Sequence, residues 1–224
     1  MSTRPELPQG YLGPQPKWSE WNLSTVSHKS PEIVADKNPL EIKLRTPKPM
    51  KVTCNLIEAA NEKEYKDLVF TQTEGEVVSL LISLPAAGYF KLQVYALPAA
   101  DDSKTLPNVY NYLIQNNTPP PHSVCPYPKQ YAQWKEGCFL YEPLQLSNLS
   151  NLDTVNFKVR IPGAKAVALT VDSEWFHLQQ NRDGIWEGVV KGLSKFKGKT
   201  PKASLNANYG GDETKYSSLL EYDL

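Results

Sequence analysis

Residues 40–56 read LEIKLRTPKPMKVTCNL and residues 155–171 read VNFKVRIPGAKAVALTV. At a constant offset of 115, Lys43, Arg45, Pro47 and Val52 recur as Lys158, Arg160, Pro162 and Val167. Between the identities the chemistry alternates: Leu40, Ile42 and Leu44 match Val155, Phe157 and Val159, while Val52, Cys54 and Leu56 match Val167, Leu169 and Val171. An apolar residue at every second position is the period of a strand with one buried face, not of a helix. Both the period and its repetition are kept where identities change, which marks a module that occurs twice.

Working outward, Pro16-Lys17 and Trp21 find counterparts in Pro128-Lys129 and Trp134, and Tyr110-x-x-Leu113-Ile114 resembles Tyr216-x-x-Leu219-Leu220. Further strands are predicted over Val77–Leu84 and Tyr89–Tyr95. Trp175-Phe-His-Leu178 and Ile185–Val190 flank Asn181-Arg-Asp-Gly184, whose Asp-Gly tolerates positive φ and signals a hairpin. The phrase from Pro85 to Val94, a Gly-Tyr turn feeding an alternating strand, is similar to the tyrosine corner of immunoglobulin-like sandwiches. Glu58–Asp67 is polar, lacks an apolar stripe and is expected to connect strands. Prolines 119, 120, 121, 126 and 128 set a stiff connection near the middle of the chain. The expected fold is therefore all-β, two tandem immunoglobulin-like β-sandwich domains, over 1–117 (with 1–10 disordered) and 129–224, joined by a proline-rich linker at 118–128.

The 224 residues carry 24 cations and 24 anions. Zero net charge argues against a general nucleic-acid or acidic-lipid binder, which needs excess cations to displace counterions. No window approaches the ~18 consecutive apolar residues of a membrane span, and the first ten residues lack the apolar core of a signal peptide, so a cytoplasmic protein is expected. Cys54, Cys125 and Cys138 are odd in number and unpatterned, which predicts reduced thiols, with a Cys125–Cys138 bridge left open. His28, His122 and His177 stand apart from the spacings that let neighbouring side chains share a zinc, so neither metal nor cofactor is expected.

Three groups of side chains carry chemistry. Cys138, His177 and Asp183 follow the chain order of a thiol enzyme, with thiolate, base and orienting carboxylate; against this, Cys138 sits in strand-like alternation and Asp183 in a turn. Trp175 and Trp186 flank the hairpin turn, where paired rings would form a platform for sugar faces; the stretch 162–188 is similar to immunoglobulin-like glycogen-binding modules, while large rings in sandwiches also serve as core. Lys191, Lys195, Lys197, Lys199 and Lys202 form a basic segment without an acid, read either as a steering patch for an acidic partner or as a solvated loop guarding a sheet edge.

Gly10-Tyr-Leu-Gly-Pro14, Trp21-Asn-Leu-Ser-Thr-Val-Ser-His28, Tyr127-Pro-Lys-Gln-Tyr131, Cys138-Phe-Leu-Tyr-Glu-Pro-Leu144 and Phe157-Lys-Val-Arg-Ile-Pro-Gly-Ala164 together resemble the C-terminal part of the kyphoscoliosis peptidase and hillarin family. In that family a transglutaminase-like domain is followed by immunoglobulin-like modules. The resemblance implies a non-catalytic scaffolding module with protein partners in a cytoskeletal setting. The sequence departs from the family pattern in one way: no segment upstream of Gly10 is expected to hold the transglutaminase-like domain, so that domain's catalytic Cys, His and Asp are expected to have no counterparts here.

Overall fold

The computed structural model describes residues 2–118, 120, 124–199 and 201–224. It divides into two compact units, Met1–Val124 and Cys125–Leu224. In the first, the strands are β1 (Gly13–Pro14), β2 (Ser24–Thr25), β3 (Glu32–Val34), β4 (Leu40–Arg45), β5 (Met50–Glu58), β6 (Lys63–Tyr65), β7 (Val69–Glu74), β8 (Val77–Ile82), β9 (Gly88–Pro98) and β10 (Asn108–Asn116). One sheet runs β1-β10-β9-β5-β6 with β3 parallel to β10, and the other runs β2-β4-β8-β7.

In the second unit the strands are β11 (Lys129–Gln130), β12 (Phe139–Glu142), β13 (Thr154–Arg160), β14 (Ala166–Val171), β15 (Glu174–His177), β16 (Gln179–Gln180), β17 (Trp186–Lys191), β18 (Ala203–Asn208) and β19 (Ser217–Tyr222). Their sheets run β11-β19-β18-β14-β15 and β12-β13-β17-β16. Strand for strand these are the two paths of the first unit, except that β3 has no counterpart among the described residues of the second. The all-β immunoglobulin-like architecture follows from the alternation: β4 buries Leu40, Ile42 and Leu44 and exposes Glu41, Lys43 and Arg45, while β13 buries Val155, Phe157 and Val159. Each fully buried aliphatic or aromatic side chain contributes roughly 1.5–3 kcal/mol, so two such faces closed on one another supply the main stabilisation of each unit.

Several details depart from the expectations. Trp18, on a short helix (Pro16–Glu20) after β1, corresponds to Trp134, on a 3-10 turn (Ala132–Lys135) after β11; both are buried. Trp21 is thus not the counterpart of Trp134. Likewise, the registers with β9 and β18 match Tyr112 to Tyr222, not Tyr110 to Tyr216: Tyr112 stands opposite Leu92, and Tyr222 opposite Ala203. Residues 2–10, expected to be disordered, form neither strand nor helix, yet Arg4 pairs with Glu32 across 28 positions. Of the connection expected over 118–128, Pro119, Pro121, His122 and Ser123 lie outside the described residues. Val124 packs on the core of the first unit, whereas Tyr127 is buried in the second.

Candidate functional site

The hairpin predicted around Asn181–Gly184 forms, closed by Asn181 N donating to Ile185 O at 2.8 Å and by Asn181 Oδ1 accepting from Asp183 N and Ile185 N. Its arms, however, are β16 and β17; β15 pairs instead with β14 in the opposite sheet. The chain changes sheets at Leu178, which is buried. Trp175 and Trp186 therefore belong to different sheets, and only Trp175, 48% exposed, faces solvent; Trp186 is 6% exposed and serves as core. The two rings form no joint platform.

Other rings meet Trp175. His177, two residues along the same strand, stacks on it with centroids 6.0 Å apart at 19°, and Tyr216 meets it edge-on at 4.9 Å. Beneath this aromatic group lies an unusual outer face. Ala168 stands in register between His177 and Asn206, and both Ala168 and Asn206 are buried although their strands' other face makes the core. Asn206 Nδ2 donates to Thr170 Oγ1 at 2.9 Å and to Ser204 O at 3.0 Å, while its Oδ1 accepts from Ser204 Oγ and Ser218 Oγ. A polar group shielded from water needs such satisfaction, and here it is complete. The rings thus form a lid over a small hydrogen-bonded layer and present their other side outward.

The lysines do not form one patch. Lys195 Nζ reaches Glu174 Oε1 at 2.6 Å, and Lys202 Nζ reaches Asp223 Oδ1 at 3.0 Å, which holds its pKa above the usual lysine value. The acids absent from the segment come from β15 and the chain's end. Among the described residues Lys191, Lys197 and Lys199 form no ion pair, and Lys191 lies on β17, in the sheet opposite β15. Lys195 brings the loop carrying Lys197 and Lys199 to the Glu174 end of β15, beside Trp175.

The thiol constellation is not assembled. Cys138 is 4% exposed just before β12, its Sγ lies 3.8 Å from Gln133 O, and burial pushes the thiol up to about 12 despite the opposing pull of Arg160. His177 lies on β15 in the other sheet, and Asp183 is held in the turn by Asn181. A thiol in that state is nucleophilic only as a rare thiolate. Cys54, Cys125 and Cys138 are all free, so the bridge left open by the sequence is not formed. Among the described residues no three His, Cys, Asp or Glu side chains cluster as metal ligands. An open cleft beside β12 and β13 is lined by Gln145, Asn148, Asn151, Thr154 and Asn156 with Glu142, and contains neither histidine nor cysteine.

Sequence reasoning missed Tyr216 and Asn206. In the sequence Tyr216 stands out only as a repeat counterpart, and its place beside Trp175 joins residues 41 positions apart. A polar Asn206 between Leu205 and Ala207 gave a local hint, because strand alternation sends it outward while its amide still needs partners.

A family model described as a KY-like, immunoglobulin-like domain matches residues 5–128. The mouse (Mus musculus) protein named kyphoscoliosis peptidase is 25% identical over 183 residues, covering 77% of this chain and 26% of its own length. The chain thus spans about a quarter of that relative. Among solved structures, a pullulanase from Anoxybacillus sp. LM18-11 aligns over 84% of this chain and 24% of its own, with 12% identity and a TM-score of 0.24. A marsupial T cell receptor aligns over 88% and 93%, with 14% identity and a TM-score of 0.28. At TM-scores this low neither structure bears on what the chain does.

Proposed function

The chain belongs to the family of KY-like immunoglobulin-like domains, and from that premise we propose that it is a non-catalytic protein-interaction module that scaffolds partners in a cytoplasmic, cytoskeletal setting. The observation that carries this reading is the surface of the second unit, a sheet edge and an aromatic group offered to solvent, while Cys138, in the other sheet, is kept protonated by burial. Such a surface binds by shape, ring contact and backbone pairing, and it transforms nothing. The aligned stretch covers 26% of the mouse relative, so the activity in that protein's name is not carried over to this chain.

The test is biochemical fractionation. Expressed with a tag in cultured animal cells, the chain is expected to remain with the detergent-insoluble cytoskeleton and to co-sediment with purified actin filaments or microtubules. Complete extraction together with failure to pellet on either polymer would overturn the reading. Trp175 with His177 and Tyr216 supports a second reading, a glycan platform, since a sugar's C–H face stacks on an exposed indole. Retardation in a glycogen-containing native gel, lost in Trp175→Ala, would favour it; unchanged mobility would remove it.

A further inference from the structure

We infer that β15 is the docking site for a second copy of this chain, which extends the sheet β11-β19-β18-β14-β15 by antiparallel pairing across a two-fold axis at Phe176. β15 is the last strand of its sheet, and none of its four residues is buried. Leu178 N donates to Val167 O at 2.9 Å, in register with the Leu169–Phe176 pair. In an antiparallel ladder alternate residues bond to the same neighbour, so Glu174 and Phe176 face β14 while the N–H and C=O groups of Trp175 and His177 face the open edge. The same two residues carry the stacked outer rings. Backbone groups and rings are therefore presented together.

The matching edge of the first unit is built differently. β6 reads Lys63-Glu64-Tyr65, and Glu62 and Glu58 stand beside it, with Glu62 paired to Lys91. Charges of this kind are how natural sheets keep their edges from pairing with other chains. On β15 the charges gather at one end, where Glu174 pairs with Lys195 and Lys197 and Lys199 follow, so the outward backbone of Trp175 and His177 carries no Lys, Arg, Asp or Glu side chain of its own. Zero net charge over the whole chain also removes long-range repulsion between copies.

Side-chain parity selects the register. Like faces must meet, so Trp175 lies opposite the second copy's His177, each such pair exchanging both backbone hydrogen bonds, and Phe176 lies opposite the second copy's Phe176. A two-residue slip would set Phe176 against Glu174 and lose the aromatic cross-strand pair. With so short a strand the dimer is weak, with Kd on the order of tens of micromolar.

Sedimentation velocity of the full chain from about 5 to about 500 µM brackets that affinity. The weight-average mass is expected to rise from 25.2 kDa toward twice that value. His177→Pro removes an outward N–H without touching the ladder to β14, and Phe176→Lys sets two cations face to face; each is expected to weaken association at least about tenfold. Lys63→Pro, on β6, leaves it unchanged. Near-UV circular dichroism reports folding, and if His177→Pro unfolds the second unit, Phe176→Lys, at a partly buried position on the last strand, still decides. A monomer at the highest concentration, a dimer indifferent to both β15 variants, or a monomer that binds glycogen through Trp175 would each overturn the inference.

Discussion

The two units follow one strand path and fill it with different side chains. In the first, Ile42 faces Leu80 and Leu44 faces Val78 across β4 and β8. At the matching places of β13 and β17, Phe157 faces Gly188 and Val159 faces Trp186. Two aliphatic pairs have been exchanged for two pairs that each hold one ring, Phe157 against a glycine and Trp186 against a valine, and a Cβ at Gly188 would stand 3.0 Å from Leu178 Cδ2, the residue at which the chain changes sheets. The matched tyrosines differ too. Tyr222 Oη donates to Pro143 O at 2.8 Å, whereas buried Tyr112 Oη finds no partner among the described residues. Alternation thus specifies the frame, and the same enclosed volume is then divided in more than one way.

Replacing the large ring by its counterpart, Trp186→Val, is expected to cost about 3 kcal/mol in the second unit. Hydrogen exchange would speed up in β13 and β17 and stay unchanged in β4 and β8. Protection preserved in both units would mean that Trp186 is not the pillar of its sheet. The converse change, Gly188→Leu, restores the first unit's residue but must displace Leu178, at a cost of about 2 kcal/mol; urea unfolding followed by near-UV circular dichroism would register it. An unchanged midpoint would break the matched pairing of Gly188 with Leu80.

Alkaline pH tests both units at once. Burial raises the Tyr112 and Tyr222 phenols well above the ordinary tyrosine value. The folded state then keeps protons that the unfolded state releases above about pH 10, so the stabilisation is whole below that pH and falls by about 1.4 kcal/mol per tyrosine for each further unit. Absorbance at the phenolate band should show these two residues titrating only on unfolding. The smallest effect is the most discriminating. Tyr222→Phe should cost about 1 kcal/mol by stranding the Pro143 carbonyl, while Tyr112→Phe, which loses only an unpartnered hydroxyl, should be neutral or slightly stabilising. Equal losses would show that the two hydroxyls are equivalent.

How much of this was legible follows from where each signal resides. Alternation from Leu40 to Leu56 and from Val155 to Val171 is local, and it yields strands, buried faces and the repeat. The partnership of Trp175 with Trp186 failed because both lie about a turn apart in sequence, while a single buried residue, Leu178, sends their strands to opposite sheets. Tyr216 and Asn206 reach Trp175's face only through three strand pairings, and the acids that neutralise Lys195 and Lys202 come from Glu174 and Asp223. Contacts of that kind leave no trace in spacing. The mismatched tyrosines arose because the connections between strands differ in length between units, so one offset cannot serve the whole chain.

The parallel pairing of β3 with β10, Leu113 with Glu32, Ile114 with Ile33 and Gln115 with Val34, has a mechanical consequence. Parallel neighbours near opposite ends of a chain slide past one another when those ends are pulled apart, so their hydrogen bonds are loaded together. β1 with β10, and β11 with β19 in the second unit, are antiparallel, and under the same tension their bonds open one after another, like a zip; among the described residues only the first unit holds a parallel pair behind them. Stretched in a single-molecule experiment, the first unit should resist as a clasp, and the second should yield first.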